Sequence, residues 1–217
     1  SGTRLMLSKK DHDGFVAQMV EKLGAMTMGD PLDPATQLGP VVSEGQMKSV
    51  LDYVEIGKGE GAKLACGGAR AIGGDLDKGS FVQPTLFTDV TNNMRIAQEE
   101  IFGPVLAVLK YDDVDDAIRM ANDSIFGLSA GVWSQDIDRA KGLASKLRSG
   151  TIWLNEWHML SERAPFGGYK QSGIGREFGD EGLNEYTELK TLYVDDAKTR
   201  DNKPWYDMVV ARKNEEA

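Results

Sequence analysis

The chain has 217 residues, 41% of them hydrophobic, with a formal net charge of −9 and a single cysteine. That length and apolar content can fill one substantial core, and the acidic balance excludes a partner held through phosphates, which requires clustered Lys and Arg. One cysteine excludes an internal disulfide and a cysteine-rich zinc site, and no apolar run is long enough to span a bilayer.

No initiator methionine precedes "SGTRLMLSKK" and no signal-peptide pattern opens the sequence, so a soluble, cytoplasmic chain is expected, either processed or part of something longer. These residues start without lead-in to what reads as the first turn of a long helix, and Phe15, Val16, Met19, Val20 and Leu23 recur at helical spacing. His12 falls at its polar start and is expected to be exposed and inert. Ser43 is placed as the N-cap of a second helix with Met47, Val50, Leu51 and Val54 at helical spacing. "AKLAC" and "FVQPTLF" follow as strands among glycine-rich turns.

"VLAVLKY" begins an alternation. Asp112 and Asp113 suit the N-terminus of a helix carrying Val114, Ala117, Ile118 and Ala121. "LSAGVWS" is the next strand, and Ile137, Ala140, Leu143, Ala144 and Leu147 mark a helix ending near Gly150. "TIWLN" closes the series. Strand, helix, strand, helix, strand from Val105 to Asn155 predicts an α/β chain with a mostly parallel sheet flanked by helices. "TLYV" reads as a last strand, and a charged tail follows Val194.

The stretch "APFGGYKQSGIGRE" raises the question of a phosphate cradle. A P-loop needs Lys and then Ser or Thr after its last glycine, but Ile174 follows Gly173. A dinucleotide fingerprint needs a third glycine where Phe178 stands. Both patterns fail, which leaves a glycine-shaped turn for close packing of chains. Cys66 has no His beside it in sequence and reads as a buried structural thiol. Glu99 and Glu100, by composition alone, form a solvated helix end. His158 follows a strand, where functional loops begin, but two histidines support neither a Ser-His-Asp triad nor a His-rich metal site.

Several stretches together resemble one family. "QEEIFGPVLAVLKY", "GDPLDPATQLGPVVSEGQ", "ANDSIFGLSAGVWSQD", "SGTIWLNEW" and "APFGGYKQSGIGREFGDEGLNEYTELKTLYV" are similar, in order and spacing, to the C-terminal catalytic-domain part of NAD(P)-dependent aldehyde dehydrogenases. The opening "SGTR" is similar to the residues that follow that family's catalytic cysteine, so the nucleophile, the cofactor domain and the general-base Glu are expected upstream of Ser1. The resemblance implies a cysteine thiolate attacking an aldehyde, hydride transfer to NAD or NADP, and hydrolysis of the thioester to a carboxylic acid.

It also implies roles for residues here. Glu100 matches the acid that bonds the nicotinamide ribose, Phe102 the aromatic beside the nicotinamide, and Gln46 another ribose-side contact. Ser49 stands where relatives often have Lys. Phe166 matches an aromatic of the substrate tunnel, and Trp157, Met159 and Leu160 lie in the segment that varies with substrate. Glu156, His158 and Arg163 leave room for a polar aldehyde. A small-molecule aldehyde is the expected partner, with no nucleic acid and no membrane. Assembly as a homodimer or homotetramer is implied, through an oligomerisation strand at 188–194, with residues 1–194 as partial catalytic domain and 195–217 as tail. The isolated chain is expected to be inactive. A non-catalytic truncated homologue that binds or oligomerises is the alternative reading, and a free-standing Cys66 hydrolase a third.

Overall fold

The computed structural model describes residues 2–196, together with 203 and 208. A four-stranded sheet forms the centre, in the order β1-β4-β3-β2. Its strands are β1 (Arg4–Ser8), β2 (Lys63–Cys66), β3 (Thr85–Val90) and β4 (Val105–Tyr111). β1 and β3 run parallel to β4, and β2 pairs antiparallel with β3. Leu86, Phe87, Val108 and Leu109 from the two middle strands are fully buried.

β1 corrects the sequence reading, which took these residues as the start of a long helix. Leu5, Met6 and Leu7 carry no β-branched residue, yet Arg4 to Ser8 align with Ala107 to Tyr111 in a parallel ladder. Pairing with a buried neighbour outweighs local preference here. The "FVQPTLF" strand is also displaced. Its ladder begins at Thr85, after Pro84, which has no N–H to donate.

Helix α1 (His12–Gly24) packs against β2, and α2 (Glu44–Gly59) covers the sheet with Met47, Val50 and Val54 buried. Ser43 caps α2 as expected, its hydroxyl accepting from Gln46 N at 3.1 Å. The four-residue α3 (Arg95–Gln98) adds Ile96 to the same core. Helix α4 (Val114–Asn122) starts at Asp113, whose carboxylate accepts from Asp116 N at 2.8 Å.

His12 is buried rather than exposed, with 3% of its surface accessible. Its Nδ1 lies 2.7 Å from Asp13 Oδ1, and Nε2 has no partner among the described residues. The polar sequence around it misleads: α1 packs on β2, and His12 is the one residue of the helix that is buried.

The remaining strands leave the central sheet, so the alternation from Val105 to Asn155 does not build one continuous sheet. β5 (Phe126–Gly127) pairs antiparallel with β8 (Tyr169–Lys170). β6 (Ser129–Val132) and β7 (Thr151–Leu154) form a separate parallel pair, joined by α5 (Ile137–Ala144). α5 stops short of the expected end near Gly150. A last short helix, α6 (Gly179–Asn184), follows the glycine loop. Residues 191–194 pair with no strand among the described residues, and Leu192, Tyr193 and Val194 are exposed. Most of the tail, 197–202, 204–207 and 209–217, lies outside the described residues. No helix among the described residues is long and apolar enough to cross a membrane.

Candidate functional site

The loop between α3 and β4 alternates its side chains. Ile101 goes into the core with 6% of its surface accessible, while Glu100 and Phe102 on either side face out. Phe102 holds φ at 56°, a left-handed conformation uncommon for an aromatic, and is 73% exposed. What keeps it there is Gln46 on α2, whose Nε2 donates to both Ile101 O and Phe102 O at 3.0 Å. Gly103 then passes so close to α2 that a Cβ would sit 2.5 Å from Val50 Cγ2.

The two adjacent acids separate in role. Glu99 is fixed by a forked pair from Arg95 Nε and Nη2, both at 2.8 Å, and by the Tyr53 hydroxyl at 2.8 Å. The Arg95 guanidinium, and then the Tyr53 hydroxyl, hold the Glu99 carboxyl below the usual range. Arg95 also lies over the Tyr53 ring, 5.7 Å from its centre. Glu100 is exposed and has no hydrogen bond or ion pair among the described residues, so both its oxygens can accept. That carboxylate suits a vicinal diol such as the nicotinamide ribose of NAD, and the residues present therefore fit the cofactor. The sequence reading treated Glu99 and Glu100 alike by composition. Arg95 four residues before Glu99 is the pattern that separates them.

A second group gathers after β7. Trp157 meets Trp153 edge-on at 5.0 Å between ring centres and faces Trp133 at 6.2 Å. Trp153 Nε1 donates to Met159 O at 2.7 Å, and His158 lies 6.2 Å from the Trp153 ring. Asn155 extends the strand pair by exchanging two side-chain bonds with the Ser134 backbone, at 2.7 and 2.8 Å. Met159 and Leu160 are exposed, 65% and 45%. The contributions of Trp133 and Trp153 were not foreseen; their recurrence in and just after short strands was the available signal.

Phe166 is half-buried in the loop that follows this cluster. Its backbone exchanges two bonds with Glu177, each 2.8 Å. The glycine loop around it is a packing device. A Cβ at Gly150 would fall 1.7 Å from Gly167 O, and Gly127 N donates to Ser172 Oγ at 2.9 Å. Arg176 Nη1 closes the loop from inside, on Gly168 O at 3.1 Å and Gly175 O at 2.7 Å. Its donors and acceptors thus serve the fold.

The two groups meet at the start of β1. Arg4 lies opposite Ala107, and Ala107 N donates to Thr3 O at 3.0 Å, so Gly2 falls at the end of β4 that leaves the Glu100–Phe102 loop. On its other side Gly2 packs on Trp157, where an added Cβ would sit 3.2 Å from Cζ2. Gly2 itself therefore lies between the tryptophans and the β4 end next to the Glu100–Phe102 loop. Gln46, Phe102 and Glu100 are brought together, and Trp157 with Met159; Phe166 makes no ring contact with the tryptophans among the described residues.

Cys66 is not a competing centre. It is half-buried, its thiol faces Pro84 O at 3.9 Å, and burial pushes its pKa up, which disfavours the reactive thiolate. No group of three or more metal-ligating side chains occurs among the described residues.

The aldehyde dehydrogenase family model matches residues 1–192. Betaine aldehyde dehydrogenase of Brucella anthropi is 49% identical over 198 residues, which are 91% of this chain and 41% of that protein. The Brucella melitensis counterpart is 48% identical over the same shares. Among solved structures, Mycobacterium tuberculosis aldehyde dehydrogenase complexed with NAD+ matches at 46% identity and a TM-score of 0.86, covering 91% of this chain and 40% of that one. Betaine aldehyde dehydrogenase of Staphylococcus aureus in complex with NAD+ matches at 42% identity and 0.83, covering 85% and 37%. The chain spans about two fifths of the length of the curated relatives it matches.

Proposed function

This chain belongs to the aldehyde dehydrogenase family, and on that premise we propose that it is one part of an NAD-dependent enzyme oxidising an aldehyde to a carboxylic acid. The reacting group is a cysteine thiol upstream of Ser1, with the cofactor domain also upstream. The carrying observation is the position of Gly2, between Trp157 and the β4 end that leads to Glu100 and Phe102.

Each residue acts by holding something still. Glu100 accepts from the two ribose hydroxyls, Phe102 limits the movement of the nicotinamide ring, and Gln46 fixes the loop that carries both. When bound, NAD supplies the hydride acceptor. The thiol adds to the aldehyde carbon, hydride leaves that carbon, and water then displaces the thiol to give the acid. Trp157, Met159, Leu160 and Phe166 surround the aldehyde's side chain and keep water from it. The curated relatives are named for betaine aldehyde, whose trimethylammonium group suits a tryptophan face. Trp157, flanked by Trp133 and Trp153, supports an aldehyde of this kind as substrate.

Residues 1–194 act as part of one catalytic domain, and the exposed Leu189, Leu192, Tyr193 and Val194 support its assembly as a homodimer or homotetramer through 188–194. The test is to follow reduced nicotinamide with betaine aldehyde and with a simple aliphatic aldehyde, using the polypeptide extended upstream. NAD-dependent turnover of betaine aldehyde, abolished by changing the upstream cysteine, is the expected result. A polypeptide that oligomerises but turns over no aldehyde would favour the non-catalytic reading.

A further inference from the structure

The C-terminal end of α4 collects cations from both sides of the site. Arg4 Nη1 donates to Met120 O at 2.9 Å and to Asn92 Oδ1 at 2.8 Å, and its Nη2 to Ala121 O at 3.0 Å. Lys170 Nζ donates to Asn122 O at 2.8 Å and Ser124 O at 3.0 Å. Met120 O and Ala121 O are among the carbonyls a helix leaves unpaired at its end, where its dipole is negative. Neither cation has a carboxylate partner among the described residues. The Asp123 carboxylate acts on both charges from a distance, and Asn92 Nδ2 donates to it at 3.0 Å.

Bringing these two groups together opposes ordinary electrostatics. Burial pushes both pKa values down, and for Lys170 the charges of Arg148 and Arg4 add to it. The gain is geometric. Arg4 is two residues from Gly2, which packs on Trp157 and leads back to the reacting thiol. Lys170 is four residues from Phe166. Asn92, the third acceptor of Arg4, is tied in turn by Gln98 Nε2 to its carbonyl at 2.5 Å, one residue before the acid pair that ends in Glu100.

We propose that Arg4 and Lys170 are positioning residues that use the end of α4 as a common anchor, setting the start of β1 against the Phe166 loop and the Glu100 loop. This rests on the aldehyde-oxidising reading above. Reacting atoms misplaced by about 1 Å can lose roughly a hundredfold in rate, so an anchor shared by these segments bears directly on turnover.

The experiment has two arms. In the upstream-extended enzyme, Arg4→Lys keeps the charge but loses the planar fork that reaches three acceptors. It should lower kcat by about tenfold or more while the NAD Kd moves by less than about twofold. Lys170→Met should raise the aldehyde KM, and the double variant should lose less than the product of the single losses, because both act through one helix end. Unchanged kcat in a folded Arg4→Lys enzyme, or losses that simply multiply, overturns the proposal. Absence of turnover in the parent enzyme defeats the aldehyde reading instead, and the second arm then decides. In the present chain, Arg4→Lys should speed hydrogen exchange at Gln171 and Ser172 by roughly tenfold and leave β3 unchanged. Acceleration confined to β1 overturns the shared anchor.

Discussion

One amide nitrogen ties Gln46 to Phe102: it donates to Phe102 O and to the neighbouring Ile101 O, each at 3.0 Å. The bond crosses from α2 to the loop before β4. It holds an aromatic residue in a left-handed backbone conformation that the chain would not choose unaided. Gln46 thus fixes the backbone of the loop that carries Glu100 and Phe102.

Gln46→Ala should therefore loosen the loop. Two carbonyls lose their donor, at a cost of about 1 kcal/mol or more, read as a lower denaturation midpoint in the chain itself. Gln46→Glu should cost more, since a carboxylate would face the same two carbonyl oxygens. Equal stability of both variants with the wild type would remove this role.

Glu100→Gln is expected to leave folding intact, within about 0.5 kcal/mol, because the side chain is exposed and bonds nothing in the fold. In the upstream-extended enzyme it should weaken NAD binding roughly tenfold, as charge-assisted bonds to the ribose are lost. Titration calorimetry with NAD checks it, and an unchanged Kd would place Glu100 among ordinary surface acids.

Gly150→Ala should be strongly destabilising. The new methyl would overlap the Gly167 backbone oxygen, 1.7 Å away, and a backbone atom cannot rotate aside. Overpacking of this kind costs about 1–3 kcal/mol, enough to lower the Tm by several degrees. Gly142→Ala, with open space around the added atom, is the control and should be neutral or slightly stabilising.

Glu99 gives a pH signature. Its folded-state pKa is depressed, chiefly by Arg95, so its stabilising contribution is present above the ordinary carboxylate pKa and is lost as pH falls through the lower folded value. The side chain is 40% exposed, which keeps the effect small. Acid unfolding of Glu99→Gln should begin from lower stability at neutral pH and converge with wild type in acid. Parallel curves at every pH would contradict the assignment.

Much of the fold was legible because its signals are local. Ser43 before Met47 and Val50, and Asp113 before Val114, mark helix starts through a cap that a sequence displays directly. β1 was missed because its pairing with β4 spans about a hundred residues, while Leu5, Met6 and Leu7 suit a helix equally well. The two-residue β5–β8 ladder is too short to show a period. At the site, family resemblance pointed to Glu100, Phe102 and Gln46, but not to the bond from Gln46 to the Phe102 carbonyl. The Tyr53 hydroxyl on Glu99, the meeting of Trp133 with Trp157 and the burial of His12 depend on residues distant in sequence meeting in space.

The central claim is that the reacting thiol sits immediately before this chain and between its two groups of site residues. Its most direct measurement is reduced-nicotinamide formation from an aldehyde and NAD by the upstream-extended polypeptide, beside this chain alone. The account predicts turnover by the extended form, its loss when the upstream cysteine is replaced, and none from the chain by itself. Equal turnover by the chain alone, or full activity without that cysteine, would contradict it.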